Sequence, residues 1–232
     1  VDHYDLVMHC GNVDVLKFYD SHNHPPGINF PFWVDTDFFS VESGVRPQVL
    51  KSSSKPWVFF GNLGGQVRQG RYDVLSTLSE RLDIWGKCPA DPCGMHRGYL
   101  KTIDSTVATL SPYQVGINIP QNFEDYRGSE YDFPELGDLG QFFLPSRVVQ
   151  YAALKLPVLT IGLDSSPSHF TSSLVAENSA EALERLDGLL SSAAIRQELA
   201  AHGRDEICKH FSGISRARFL VALLQEDLAP CQ

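Results

Sequence analysis

Short, almost wholly apolar runs alternate along this chain with stretches whose apolar positions recur every three to four residues. Trp57-Val58-Phe59-Phe60, Leu82-Asp83-Ile84-Trp85-Gly86, Val115-Gly116-Ile117-Asn118-Ile119 and Pro157 to Gly162 predict strands, each bounded by Gly, Pro or polar residues. Between them, Val67 to Arg81, Tyr99 to Leu110 and the segment that opens at Pro145-Ser146 have the helical period. The last third predicts only helices. Ala182, Leu183, Leu186, Leu189 and Leu190 form one face behind a cap at Asn178-Ser179, Ile195, Leu199 and Phe211 belong to one or two more, and Ile214, Ala217, Val221 and Leu224 to a last one. Strands alternating with helices predict an α/β fold, a Rossmann-like parallel sheet flanked by helices, with a helical C-terminal tail. Upstream, Tyr4 to Cys10 reads as a strand and Asn12 to Tyr19 as a short helix. The stretch from Ser40 to Pro56 reads as a connecting segment, and Pro120 to Gly140 as a long loop of the kind that often serves function.

Composition narrows the class. The 232 residues are 43% hydrophobic and 20% charged, with a formal net charge of -9. That balance argues against a nucleic-acid partner and an anionic-membrane surface while leaving room for a local basic pocket. No apolar run approaches the roughly 20 residues of a membrane span, so a cytoplasmic setting without a membrane partner is expected. The start, Val1-Asp2-His3-Tyr4, has neither an initiator Met nor the shape of a signal peptide, as in a trimmed or processed chain or one that lacks a disordered segment. Five cysteines, Cys10, Cys88, Cys93, Cys208 and Cys231, are odd in number and scattered. They read as free thiols in a reducing compartment rather than as a zinc site, although His96 lies near Cys88 and Cys93.

In open parallel sheets ligands bind beyond the carboxyl ends of the strands, and three features fall there. Gly61-Asn62-Leu63-Gly64-Gly65 follows the strand at Trp57. Its glycines would let backbone N–H groups approach a phosphate or sugar, or they form only a turn. The segment lacks the dinucleotide spacing G-x-G-x-x-G, and the chain has no P-loop and no G-x-S-x-G elbow. Lys87, after Trp85-Gly86, faces a diphosphate or is simply solvated. Ser146 and Arg147 open a helix, where unpaired N–H groups, a hydroxyl and a guanidinium fork suit phosphate oxygens. Gln150, one turn on, is placed to meet ribose hydroxyls, and Trp85 and Asn118, at the ends of their strands, join it as candidates for the ribose and base. No metal ligand set is expected. Asp35 and Asp37 are either paired carboxylates or the caps of a turn, and His22 and His24 sit in a Pro-rich turn.

With these residues in hand the chain resembles the C-terminal, donor-binding half of nucleotide-sugar glycosyltransferases of the GT-B fold, group 1-like, with most similarity to the spore-maturation CgeB-like group. The resemblance rests on Phe32-Trp33-Val34-Asp35-Thr36-Asp37-Phe38-Phe39, on Phe59-Phe60-Gly61-Asn62 with Asp83-Ile84-Trp85-Gly86, on Ser146 to Thr160, and on Ala201-His202-Gly203-Arg204 with the final helices. It covers roughly residues 28–225. Gln150 stands where the family has Glu, and Leu154-Lys155 where it has Cys-Gly. The resemblance implies transfer of a sugar from a nucleoside-diphosphate donor to an unidentified acceptor, with no cofactor and without a metal. It implies that Gly61, Asn62, Gly64, Gly65, Lys87, Ser146 and Arg147 meet the diphosphate and sugar. Residues 1–27 would be the edge of an N-terminal domain carrying the acceptor site and catalytic base, and residues 28–232 the donor domain. Two rivals stand beside this reading. One is an interaction module that kept the sheet and lost turnover. The other is a response-regulator-like flavodoxin fold, which wants clustered acids where this chain has Gly61-Asn62.

Overall fold

A parallel sheet organises the computed structural model, which describes residues 7–9, 27–30, 32–39, 55–63, 69–88, 90–120, 145–162 and 170–227. The helix expected at Asn12–Tyr19, the residues Gly64 and Gly65, and nearly all of the Pro120–Gly140 loop lie outside these residues. Val7–His9 (β1) and Gly27–Asn29 (β2) form a separate parallel pair. Trp57–Phe60 (β3), Leu82–Trp85 (β4), His96–Gly98 (β5), Val115–Asn118 (β6), Val158–Ile161 (β7) and Leu174–Ala176 (β8) make the main sheet, in the order β5-β4-β3-β6-β7-β8. Every pairing is parallel. From β3 the chain steps outward through β4 to β5, then returns to the other side of β3 for β6 and steps outward again. This is the doubly wound order with its switch point between β3 and β6.

Six helices are described: Gln69–Ser76 (α1), Ile103–Leu110 (α2), Ser146–Ala153 (α3), Ser179–Ser191 (α4), Ala193–Glu206 (α5) and Gly213–Asp227 (α6). None is long and apolar enough to cross a membrane. Strand alternation sorts the core into two layers. Trp57, Phe59, Ile84, Ile117 and Leu159 face a layer completed by Leu75 within α1, Leu78 just beyond its end, and Leu186 and Leu189 of α4. Val58 and Val158 face the opposite layer, with Val107 and Leu110 of α2, the buried face of α3, and Ile207 and Phe211. Central parallel strands are covered on both sides, and β6 and β7 are buried along their whole length.

The helix expected over 67–81 is shorter, because the Ser76 and Thr77 hydroxyls donate back to the Asp73 and Val74 carbonyls and the chain turns through Arg81. The one expected from Tyr99 begins only at Ile103, where Thr102 caps it and Ser105 returns the bond. A π-turn at Ile207–Phe211 separates α5 from α6. Asp35 settles as a turn cap, its Oδ1 accepting from the amides of Asp37 and Phe38 at 3.0 Å each. Its segment is fastened to the domain by the Arg204 guanidinium, which donates to the carbonyls of Thr36 and Ala153, both at 2.7 Å.

Helix α3 ends in a Schellman turn. The Lys155 amide donates to the Ala152 carbonyl at 3.0 Å and the Leu156 amide to that of Tyr151 at 2.9 Å. Lys155 takes the left-handed position of that turn, at φ 59°, where glycine is the usual residue. The departure from Cys-Gly noted in the sequence therefore falls on a backbone conformation that only glycine adopts without cost.

Candidate functional site

At the switch point the carboxyl ends of β3, β4 and β5 and the start of α3 enclose a cleft of ≈ 370 Å³. It is lined by Phe60, Gly61, Asn62, Gly86, Lys87, Tyr99, Leu100, Ser146, Arg147 and Gln150. Its floor continues the β3–β4 ladder: the Gly61 amide donates to the Trp85 carbonyl at 2.9 Å and the Leu63 amide to that of Lys87 at 2.7 Å. The two chains come so close that a Cβ on Gly86 would lie 2.1 Å from the Gly61 carbonyl oxygen, and Gly86 itself sits at φ +123°. Both facts require glycine there. The Gly86 amide donates to the Gly98 carbonyl at 2.8 Å, and the His96 ring Nε2 donates to the Gly86 carbonyl, also at 2.8 Å. Lys87 thus leaves a fixed backbone.

Helix α3 is placed against this floor by Tyr151. Its ring occupies the space over Gly116 of β6, where a Cβ would come within 2.4 Å of Cδ2. Its hydroxyl accepts from the Phe60 amide at 2.6 Å and donates to the Val58 carbonyl at 3.4 Å. Burial pushes the Tyr151 pKa well up, so the hydroxyl stays protonated and keeps both bonds. One turn earlier on the same helix is Arg147, and at the helix start Pro145 stands in the cap position with no side-chain bond to the first turn. The end of α3 that faces the cleft therefore presents first-turn amides together with the Ser146 hydroxyl and the Arg147 guanidinium. Arg147 Nη1 donates to Asn118 Oδ1 at 3.3 Å and to the Ile119 carbonyl at 3.1 Å. Its guanidinium carbon is 4.8 Å from the centre of the Phe59 ring. Two cations and a helix start line the cleft, and no carboxylate does so among the described residues. Basic side chains beside a helix start suit an anion.

The structure brings Gly61, Asn62, Lys87, Ser146, Arg147 and Gln150 to this one cleft. Gly64 and Gly65 lie outside the described residues. Trp85 and Asn118 do not line it, although Phe60, the register partner of Trp85, does, because other side chains cover both of them. Trp85 points under Gly98 to the layer shared with α3, where its indole N–H donates to the Tyr113 hydroxyl at 2.9 Å. That hydroxyl donates in turn to Asp83, which Arg97 Nε also holds at 2.7 Å. Asn118 is fully buried beneath Arg147. Both pack beside the cleft without lining it. Tyr99, about two-thirds exposed on the rim, and Leu100 were not anticipated. The strand that delivers them, His96-Arg97-Gly98, has no apolar residue to reveal it, and only the glycine before Tyr99 hints at a turn.

Among the described residues no group of three or more His, Cys, Asp or Glu side chains is gathered as for a metal. Near Cys88 and Cys93, Asp91 instead organises the loop before β5. Its carboxylate accepts from the amides of Met95 and His96 at 3.0 and 2.7 Å and from the Tyr72 hydroxyl at 3.0 Å. Burial alone would raise the Asp91 pKa, but these bonds and the His96 charge outweigh it and hold the carboxyl below its ordinary value. Cys88, Cys93 and Cys208 are free thiols.

Several solved structures are similar in fold, and three of them illustrate the match. They are the sucrose-phosphate synthase of Thermosynechococcus elongatus (14% identity, TM-score 0.62, 98% of this chain and 59% of that one), and the UDP-forming trehalose-phosphate synthases of Burkholderia xenovorans (13%, 0.65, 95% and 61%) and Burkholderia vietnamiensis (12%, 0.66, 97% and 61%). The chain spans about three-fifths of each of these proteins. No curated protein matches the sequence. Residues 69–222, from the start of α1 into α6, match the family described as glycosyl transferase-like, and the chain belongs to that family.

Proposed function

We propose that this chain is the donor-binding part of a glycosyltransferase that takes a nucleoside-diphosphate sugar and passes the sugar to an acceptor. The observation that carries the proposal is the cleft at the switch point, where Arg147, Lys87 and the start of α3, with Pro145 in its cap position, meet the glycine-bearing turn at Gly61. A diphosphate fits this set. The α3 amides and the guanidinium fork supply directed donors, Lys87 supplies a point charge, and Gly61 admits the ligand close to the backbone. In glycosyl transfer the diphosphate is the leaving group, and preorganised donors aimed at its growing charge lower the barrier. The positive charge comes from protein groups, so the proposal includes no metal and no cofactor.

Gln150 and Tyr99 complete the fit. The Gln150 side-chain oxygen is buried and takes no hydrogen bond from the described residues. A hydroxyl of the ribose or sugar would give it the donor that burial otherwise denies it. Tyr99 and Leu100, across the cleft, offer an aromatic and an apolar wall of the kind a base lies against. The free thiols agree with a reducing, cytoplasmic setting. A neutral Gln150 makes a weaker bond to a hydroxyl than a carboxylate would, and this favours, as second reading, a module that binds the donor without turnover.

Thermal unfolding against UDP-, GDP-, CMP- and dTDP-sugars tests the proposal. At ~100 times its dissociation constant a ligand specific for the folded state adds about 2.7 kcal/mol, a shift readily measured. Stabilisation by one donor class supports the proposal, and release of its diphosphate on incubation separates the enzyme from the silent module. No stabilisation by any of the four would sink it.

A further inference from the structure

We infer that Asn118 is a positioning residue for Arg147, and that it acts at the head of a directed chain of buried hydrogen bonds running across β6, β7 and the start of β8. The inference rests on the reading that Arg147 meets a diphosphate. The chain is Arg147–Asn118–Thr160–Ser173. Arg147 Nη1 reaches Asn118 Oδ1 at 3.3 Å, Asn118 Nδ2 reaches Thr160 Oγ1 at 3.2 Å, and Thr160 Oγ1 lies 2.9 Å from Ser173 Oγ. Ser173 Oγ ends the chain on the Leu174 carbonyl at 3.1 Å and that of Val158 at 3.4 Å. Asn118 and Thr160 are fully buried and Ser173 is 7% exposed.

Chemistry fixes the direction of each bond. A guanidinium only donates, so the Asn118 oxygen must face Arg147 and its NH₂ must face Thr160. Thr160 then accepts from Asn118 and spends its own proton on Ser173, which accepts it and donates to a carbonyl. Asn118, Thr160 and Ser173 each take a hydrogen bond from the cleft side and give one away from it. Flipping any member would set two donors or two acceptors against each other in a buried place.

The positions argue that the chain serves the cation. Asn118 and Thr160 are register partners on adjacent strands. Around them β6 and β7 are built from Val, Ile and Leu with one Gly, and apolar residues in place of Asn118 and Thr160 would complete the layer without any polar group to satisfy. What apolar residues would not do is hold Arg147 Nη1 down at the strand ends while the rest of the guanidinium lies beside Gly61, whose Cβ position is 3.2 Å from Nη2. Thr160 and Ser173 do not line the cleft, so their effect on a ligand passes through Arg147.

The test uses Thr160→Val, an isosteric change remote from the cleft, with Thr160→Ser as the conservative control and Ser173→Ala as a second break in case the valine variant does not fold. Calorimetric titrations with UDP, GDP, dTDP and inorganic pyrophosphate are compared with the matching nucleosides. The expected result is a loss of about fivefold in diphosphate affinity, one net hydrogen bond, with nucleoside affinity unchanged and Thr160→Ser like the parent. Equal losses for diphosphate and nucleoside would mean general loosening and would overturn the inference, as would no loss. Nitrogen-15 spectra of the Arg147 guanidinium, assigned by their disappearance in Arg147→Ala, give a reading without ligand. Slowly rotating Nη–H groups in the parent and Thr160→Ser, averaged in Thr160→Val and Ser173→Ala, support the chain; identical spectra in all four overturn it. If no diphosphate binds the parent, the functional reading fails and these spectra alone decide the inference.

Discussion

Replacing Lys155 by glycine should stabilise the protein. Lys155 holds the left-handed position of the turn that ends α3, at φ 59°, where a Cβ crowds the following carbonyl and costs roughly 1–2 kcal/mol. Glycine escapes that cost and loses about 0.5–1 kcal/mol through the greater freedom of its unfolded chain. The balance of these backbone contributions is a gain of about 0.5–1 kcal/mol, or about 1–4 °C in Tm for a chain of this length. Lys155 is exposed and its two neighbours, Leu154 and Leu156, are buried, so the change leaves the core untouched and the Schellman bonds in place. Asparagine, which tolerates the left-handed region better than lysine, should fall between the two. Urea denaturation of the three proteins gives the free energies directly, with equal m-values showing that only stability changed. A glycine variant no more stable than the parent, with asparagine no better, would refute the reasoning. The end of α3 would then not be held in the left-handed turn.

Gly86→Ala should be among the most damaging substitutions in the chain. Its Cβ would stand 2.1 Å from the Gly61 carbonyl oxygen at φ +123°, and strain plus overpacking together cost about 2–6 kcal/mol. Denaturant unfolding checks the loss, and an unchanged midpoint would contradict the close approach of the two turns. Asp91 should make stability depend on acid. Its folded pKa is lowered, so its contribution is complete above the ordinary value of 3.8 and is lost as pH falls through the lower folded value. Asp91→Asn should lower stability at neutral pH and flatten the acid limb of the stability curve. A limb as steep as the parent's would show that other carboxylates carry it.

The four central strands were legible because β3, β4, β6 and β7 are mostly Trp, Val, Ile, Leu and Phe, with only Asp83, Gly116, Asn118 and Thr160 interrupting the buried runs. The edges were not. His96-Arg97-Gly98 and Leu174-Val175-Ala176 have three residues each, too few to show a period, and only the pairing with β4 and β7 makes them strands. Helix starts at Ser146 and Asn178 were readable from local chemistry, whereas the late start of α2 turned on a Thr102–Ser105 cap that propensity alone does not reveal. For the site, turn glycines and a helix start announced Gly61, Lys87, Ser146, Arg147 and Gln150, features that depend on neighbours in sequence. That Trp85 is tied to Tyr113 and Asn118 lies under Arg147 depends on residues distant in sequence, which only the assembled fold brings together. Tyr99 was hidden for the same reason, since its place on the rim follows from an edge strand.

The central claim, that the switch-point cleft holds the diphosphate of a nucleotide sugar through Arg147, is tested most directly by titrating UDP, GDP, CDP and dTDP into the parent protein and Arg147→Ala, with the corresponding nucleosides alongside. Hydrogen bonds to a charged group contribute about 1.5–3 kcal/mol, so the account predicts that one diphosphate binds the parent and loses roughly 10- to 150-fold affinity in Arg147→Ala, while its nucleoside binds both equally. A diphosphate that binds the two proteins with the same affinity would contradict it.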